Sequence, residues 1–304
     1  MTAAEQTPCR IEEILTPGPI ERELLADFAL GEPAPPPARE QHYLAFLEGR
    51  PAGAAALRMA TEADVALDVP PAHRRGGIGT ELLRTCAEGA YRNRYSQLFG
   101  TATDGTPAAG FFTTHGFRTD SAVNRLRLHL PAALPRAKEV PGYTVREWRG
   151  IPPEDLGHAM LAAKRDSGDM PSGGLPGVLH DPAKALAMLP NRVARQGNVL
   201  HTAAAIETRT GAIVGYAELV VFIGTRRAEQ LTTVVLPSHR GHGIGALLKI
   251  AMLERIARAH PEVSEVETEN DTGNAPMLAI NAALGFRLVS CTRRGWVYAH
   301  SLAP

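Results

Sequence analysis

Apolar and polar positions along this chain fall into two rhythms, one of strands and one of helices, and the whole pattern occurs twice. Residues 203–221, AAAIETRTGAIVGYAELVV, read as two strands joined by a turn near Thr210-Gly211. Residues 42–60, HYLAFLEGRPAGAAALRMA, form a shorter counterpart that turns near Glu48-Gly49. A strand-like run follows in each half, DVALDV at 64–69 and LTTVVL at 231–236, with alternation or β-branched content. Each run leads into a proline, a His-Arg pair and a glycine-rich turn: VPPAHRRGGIGTELL from Val69 and VLPSHRGHGIGALLK from Val235. The period then becomes helical, over TELLRTCAEGAYRN (80–93) and ALLKIAMLERIARAH (246–260). In the second helix Leu247, Leu248, Ala251, Met252 and Ile256 share one face, and Pro261 stops it. A strand (SEVETEN), a short helix (PMLAINAAL), Gly285-Phe286 and a final strand pair are expected to complete the second half.

The spacing of the landmarks matches between halves. Arg74 and Gly116 are 42 residues apart, Arg240 and Gly285 are 45, and each of these glycines precedes a phenylalanine. Strands alternating with helices in two copies predict an α/β protein with mixed sheets and two tandem domains, 1–135 and 140–304. The length of 304 residues suits two domains, and 44% hydrophobic residues suffice for two cores. The boundary falls in the Pro-rich segment 131–143, PAALPRAKEVPGY; a second Pro-rich stretch, GEPAPPPARE at 31–40, reads as a loop of the first domain.

Composition narrows the function mainly by exclusion. Lys+Arg and Asp+Glu are both 32, with no polybasic run, which disfavours nucleic acid as the main partner. The three cysteines, Cys9, Cys86 and Cys291, are widely spaced and suggest neither a disulfide framework nor a metal site. The first residues carry no apolar core of a secretory signal, and no stretch of about 18 apolar residues occurs, so no membrane span is expected. A cytoplasmic monomer or homodimer is the plain expectation.

The glycine turns carry the chemistry. A helix N-terminus leaves about four backbone N–H groups without intrahelical acceptors, and the helix dipole favours an anion there. Glycines let the backbone approach a phosphate closely. In the second copy the donors would come from Gly241, His242, Gly243, Ile244, Gly245, Ala246 and Leu247, with Arg240 adding positive charge. Neither copy has the Gly-Lys-Ser/Thr of a Walker loop, and GHGIGA matches a dinucleotide fingerprint only in part.

Arg74-Arg75-Gly76-Gly77-Ile78-Gly79 and Arg240-Gly241-His242-Gly243-Ile244-Gly245 resemble the (Arg/Gln)-x-x-Gly-x-(Gly/Ala) signature of the GNAT acyltransferase superfamily. The terminal Gly-Phe after a short helix is also similar to the family. The resemblance implies two GNAT-like domains, each a twisted, mostly antiparallel sheet flanked by helices. It implies acetyl-CoA as co-substrate, with its pyrophosphate on the loop, and no metal. The strand residues Thr233, Val234, Val235 and Leu236 would line the acyl-CoA, and Val69, Arg74, Arg75, Gly77 and Gly79 would be their partial equivalents in the first half. The family often places a carboxylate eleven positions before the Arg/Gln: Glu229 in the second half, Ala63 between Glu62 and Asp64 in the first. An Asn that bonds the CoA arm commonly lies eleven before the Gly of Gly-Phe: Asn274, against Gly105 in the first half. A Tyr that protonates the leaving thiolate commonly lies four before that Gly, where this chain has Asn281 and Phe112.

The resemblance therefore points to a catalytic C-terminal domain and a degenerate N-terminal one. It implies direct attack of a small-molecule primary amine on the thioester, with backbone N–H groups near Thr233 or Val234 on the developing oxyanion. An amine with a pKa of about 10 is mostly protonated at neutral pH, so a base is needed. Glu229 is the candidate. Glu218, Glu267 and Glu269 are rivals that could instead recognise a cationic acceptor. Asn281 can donate a hydrogen bond but no proton; the CoA thiolate, with a thiol pKa of about 8–9, can leave without strong acid help, and Tyr298 and Tyr216 are the candidates to substitute for the acid. His239 and His242 beside the loop read as packing residues, as does His73 in the other copy. Asp166 and Asp169 belong to a polar loop, KRDSGDMPSGG, that could line an acceptor site. Cys291 lacks the partners of a nucleophile, and Met252 and Met277 read as core. The alternative is a non-catalytic acyl-CoA-binding sensor or pseudoenzyme. A nucleotide-binding regulator is disfavoured by the missing Walker lysine.

Overall fold

A computed structural model of the chain describes residues 9–14, 17–30, 38–167 and 182–302. It divides into two compact units, Met1–Ala122 with Thr292–Pro304, and Val123–Cys291. The first unit holds β1 (Arg10–Ile14), α1 (Pro19–Ala26), β2 (Arg39–Leu47), β3 (Arg50–Met59), β4 (Ala63–Asp68), α2 (Ile78–Arg92), β5 (Gln97–Thr103), α3 (Pro107–Thr114) and the start of β6 (Arg118–His129). The second holds the rest of β6, then β7 (Tyr143–Arg149), α4 (Glu154–Asp166), α5 (Pro182–Arg195), β8 (Val199–Glu207), β9 (Ile213–Val221), β10 (Arg227–Val235), α6 (Ile244–Ala259), β11 (Glu265–Asp271), α7 (Ala275–Ala283) and the start of β12 (Arg287–Tyr298). The end of β12 returns to the first unit.

Within the first unit β1 to β4 pair antiparallel in sequence order, β4 and β5 pair parallel, and β5 pairs antiparallel with β12 from Thr292↔Thr103 to Tyr298↔Gln97. Within the second, β7 to β10 pair antiparallel in order, β10 and β11 pair parallel, and β11 pairs antiparallel with β6 from Glu265↔His129 to Asp271↔Val123. Each unit thus takes the antiparallel partner of its second parallel strand from the other half of the sequence. A single cut between 135 and 140 does not describe this packing. Part of the Pro-rich segment after β6 packs on the second unit's core through Ala132, Leu134, Ala137 and Val140.

The hairpins turn where glycines allow it, at Glu48-Gly49 and at Thr210-Gly211. The strand pair expected after Phe286 is one continuous strand, β12. Its only glycine, Gly295, makes no turn: a Cβ there would stand 3.1 Å from the carbonyl oxygen of Arg118, so the glycine permits close backbone approach. β10 begins four residues before the apolar run LTTVVL. The charged stretch Arg227–Gln230 becomes strand because it pairs on both sides, with β9 and β11.

In the second unit β9 is buried along its whole length, as a strand covered on both faces must be. On one face α6 contributes Leu248, Met252, Leu253 and Ile256 to a core with Ala203, Leu219, Ala228 and Val266. On the other, Leu156, Met160 and Ala163 of α4 pack on Trp148, Ala204, Ile206 and Tyr216. The first unit repeats the scheme with α2 on one face and the segment around Phe28 and Leu30 on the other.

Candidate active site

In the second unit β10 and β11 are in parallel register from Arg227↔Glu265 to Gln230↔Thr268 and no further. Both strands continue, to Val235 and Asp271, so they part after Gln230. The register of β10 against β9 shifts between Gln230 and Thr233, a bulge that bends β10 at this point. The result is an opening between two strands, one leading into α6 and the other into α7. In the first unit the parallel pairing of β4 and β5 covers only Ala63↔Leu98 and Asp64↔Phe99.

The turn after β10 is a 3-10 turn, Pro237–His239, followed by Arg240, Gly241 at φ 82° and Gly243 at φ 84°. Among the described residues no side chain caps α6. The first helical hydrogen bond runs from Leu247 N–H to Gly243 C=O at 3.0 Å. Leu247 is therefore not one of the free donors expected at this turn, which are the amides before it. Arg240 Nε donates to Val235 C=O at 2.9 Å, so this arginine clamps the turn as well as charging it. The first unit copies the clamp, Arg74 Nε to Val69 C=O at 2.7 Å, and Gly77 has φ 84°. Where the second turn has Gly241, the first has Arg75 at φ 68°. His239 Nδ1 lies 2.9 Å from Tyr143 Oη, and His242 Nδ1 3.2 Å from His239 O, which are local packing contacts.

Three of the four candidate carboxylates are ion-paired. Glu267 accepts from Arg127 at 2.6 Å and from Arg227 at 2.7 Å. Burial pushes its carboxyl up, but the two guanidinium groups outweigh that and it titrates below the ordinary range. Glu269 pairs with Arg125 at 2.8 Å, and buried Glu218 with Lys164 at 2.9 Å. Among the described residues Glu229 has no such tie. It is half-buried opposite Glu267, and burial first, then the like charge of Glu269, raise its pKa against the opposing pull of Arg125. In the first unit Glu62 and Asp64, which flank Ala63, are both held by Arg294 at 2.6 and 3.0 Å.

Asn274 is the N-cap of α7: its Oδ1 accepts from Met277 N–H at 3.2 Å, leaving Nδ2 as the remaining donor. Asn281 is fully buried, donates from Nδ2 to Asn270 Oδ1, and its own Oδ1 has no partner among the described residues. At the same position in the first unit Phe112 stacks on Phe117. Thr233 Oγ1 accepts from Gln230 Nε2 at 3.1 Å. Val234 packs on the α4 face and Val235 on the α6 face. Tyr298 is the last residue of β12. It belongs to the first unit, opposite Gln97, against Trp296, His300 and Arg118. A final strand that leaves its own half carries its tyrosine with it. Tyr216 is buried with its hydroxyl 3.1 Å from Ser167 Oγ, toward α4. Asp166 ends α4 and is exposed; Asp169 lies outside the described residues. Met252 is core.

The structure adds a residue to which the sequence motifs do not point. Lys249 of α6 is 1% exposed, its Nζ donates to Gln230 Oε1 at 3.2 Å, and it stands 5.4 Å from the centre of the Phe286 ring. Burial alone lowers its pKa to about 7. The signal was present: Lys249 is three before Met252 and seven before Ile256, on the apolar stripe.

Residues 38–119 match the acetyltransferase (GNAT) domain and residues 179–286 the acetyltransferase (GNAT) family. A mycothiol acetyltransferase from a Nocardioides species is 27% identical over 234 residues, 74% of this chain and 76% of that protein. A tandem GNAT protein from the clavulanic acid biosynthesis pathway is 28% identical with a TM-score of 0.65, over 94% of this chain and 89% of that one. A GCN5-related N-acetyltransferase from Sphaerobacter thermophilus shares the fold at 20% identity and a TM-score of 0.64, over 93% and 86% of the two chains. The chain belongs to the GNAT acetyltransferase family, as an N-acetyltransferase with two GNAT domains in tandem.

Proposed function

We propose that the chain transfers the acetyl group of acetyl-CoA to a primary amine of a small molecule, by direct attack, in the second unit and with Glu229 as general base. The parting of β10 and β11 beside an uncapped helix carries this proposal. The amides of Gly241 to Ala246 suit a diphosphate, and nothing lies within 4 Å of where a Cβ would stand at Gly241 or Gly243. The residues thus fit CoA, with Asn274 Nδ2 as a further donor and Asn281 beside the opening. Backbone N–H near Thr233 or Val234 would meet the developing oxyanion, a contact typically worth about 2.7–4 kcal/mol. Glu229 then takes the amine proton, directly or through water. The first unit is a supporting domain in this scheme, since Arg294 neutralises the carboxylates beside Ala63.

No helix among the described residues is long and apolar enough to cross a membrane. A cytoplasmic place of action and a monomeric or homodimeric state belong to the proposal, the former resting on the sparse, widely spaced cysteines.

The test is CoA release from acetyl-CoA across a panel of small amines, with E229Q beside the parent protein, together with calorimetric titration of acetyl-CoA. Acetylated amine from the parent and a large loss in E229Q is expected. The buried Asn281, where the family commonly has a tyrosine, favours a second possibility, a non-catalytic acyl-CoA-binding protein. Tight binding without CoA release from any amine would establish that one, and absence of both would remove both.

A further inference from the structure

The second unit buries an amine that the scheme above does not use. We propose that Lys249 protonates the sulfur of the departing CoA, with Asn281 forming the opposite polar wall of the leaving-group end; this rests on acetyl transfer occurring in the second unit.

The first support is position. Lys249 Nζ is held by Gln230, the last residue of β10 in register with β11. The ammonium thus reaches the point where the strands part. Thr268 Oγ1 bonds the Gln230 carbonyl, Asn270 follows two positions on along the same face of β11, and Asn281 bonds Asn270. A polar cluster therefore runs from α6 to α7 across the opening.

The second is unmet hydrogen-bonding capacity. Among the described residues Asn281 Oδ1 is buried without a partner. Flipping both amides of the Asn270–Asn281 pair only moves the orphan from oxygen to nitrogen. A buried polar atom left unpaired is costly and calls for a partner. Lys249 has three donor hydrogens and one described acceptor, a neutral one.

The third is the lysine's charge environment. From β10 it meets Gln230 and from the turn after α7 it meets Phe286, and neither titrates. A structural buried lysine is normally paired with a carboxylate, because an unpaired ammonium in the interior is expensive and an apolar residue would pack more cheaply. An amine with a neutral holder can give up its proton and take it back.

The geometry also separates the two proton transfers. Glu229 and Gln230 are adjacent on β10, so their side chains point to opposite faces. Glu229 therefore serves an amine arriving from one face, and Lys249 a sulfur departing toward the other. The amine nitrogen bonds to the acyl carbon and the C–S bond breaks, its electron pair staying on sulfur. The Lys249 ammonium proton goes to that sulfur, giving CoA thiol and neutral Lys249. The proton taken by Glu229 passes to water, and water reprotonates Lys249.

K249M keeps the length of the side chain without the amine. With acetyl-CoA its kcat is expected to fall by about 10²- to 10⁴-fold. With the acetyl thioester of an acidic aryl thiol, whose thiolate leaves unaided, parent and variant are expected to react alike. In the binary complex with CoA, the ultraviolet thiolate band is expected to appear at lower pH in the parent than in K249M. An unchanged or raised thermal midpoint shows that K249M is folded. Full kcat with acetyl-CoA, or equal losses with both donors, overturns the proposal while leaving acetyl transfer in place. A parent protein that releases no CoA and leaves the thiolate band at the pH of free CoA overturns the acetyl-transfer assignment and this proposal with it.

Discussion

Glu229 and Glu267 face each other in the parallel register of β10 and β11, yet only Glu267 is held by arginines. Two carboxylates one strand apart are thereby pushed in opposite directions: Glu229 titrates above the ordinary range and Glu267 below it. That divergence separates a proton acceptor from a structural anion.

The pH profile follows from the Glu229 shift. A base must be ionised, so kcat/KM should rise with pH along a limb centred above the ordinary glutamate value of about 4.3. E229Q should lower kcat by about 10²- to 10⁴-fold and abolish that limb, whereas E267Q should retain it. For stability the signs are opposite. Glu267, with its depressed folded pKa, stabilises above its unfolded pKa and loses that contribution as pH falls through the folded one. Glu229, with its raised pKa, destabilises as pH rises through the carboxylate range, so E229Q should unfold no earlier than the parent at neutral pH. Thermal melts at several pH values check both signs.

The two glycine turns differ at one backbone-critical position, Arg75 against Gly241, both at positive φ. A non-glycine residue in the left-handed region costs about 1–2 kcal/mol, partly offset by the chain entropy that glycine loses on folding. R75G should therefore stabilise the chain by about 0.5–1 kcal/mol. G241R should destabilise by a similar amount and also weaken acetyl-CoA binding, because that turn is the proposed cradle. Denaturation curves and calorimetric titration give the two readouts.

Asn274 combines a helix cap with a proposed CoA contact, and two substitutions separate them. N274A should lose about 1 kcal/mol of stability through the cap. N274D keeps the cap oxygen and removes the Nδ2 donor, so it should fold like the parent yet bind acetyl-CoA less tightly, by about 0.5–1.5 kcal/mol for one hydrogen bond. Unaltered binding in N274D would reduce Asn274 to a cap.

Lys249 makes stability depend on pH in the alkaline range. Its folded pKa of about 7 lies below that of an exposed lysine, so between the two values the unfolded chain binds one more proton than the folded one. Stability should rise with pH from about 7 until the exposed-lysine range near 10. K249M lacks this rise. Its advantage over the parent should be largest below about pH 7 and shrink as the parent's lysine is neutralised. Urea denaturation at about pH 6 and about pH 9 measures the difference.

What the linear chain determined was local. The hairpin at Thr210-Gly211, the two strand–turn–helix units, the glycines at positive φ and the stop at Pro261 all follow from periodicity and backbone chemistry within a few residues. The repeat and its spacing then pointed to two GNAT domains, and eleven-residue counting picked out Glu229 from four carboxylates. Tertiary pairing decided the rest. Which strand completes each unit depends on contacts between segments more than a hundred residues apart, such as Glu267 with Arg127, and no local preference encodes that partner. That pairing put Tyr298 in the first unit, tied Glu267 and Glu269 to arginines of β6, and left Glu229 half-buried without such a tie among the described residues. Lys249 lies on the apolar stripe of α6 already in sequence, but only the packing of that face onto the parted strands makes it a buried amine held by Gln230.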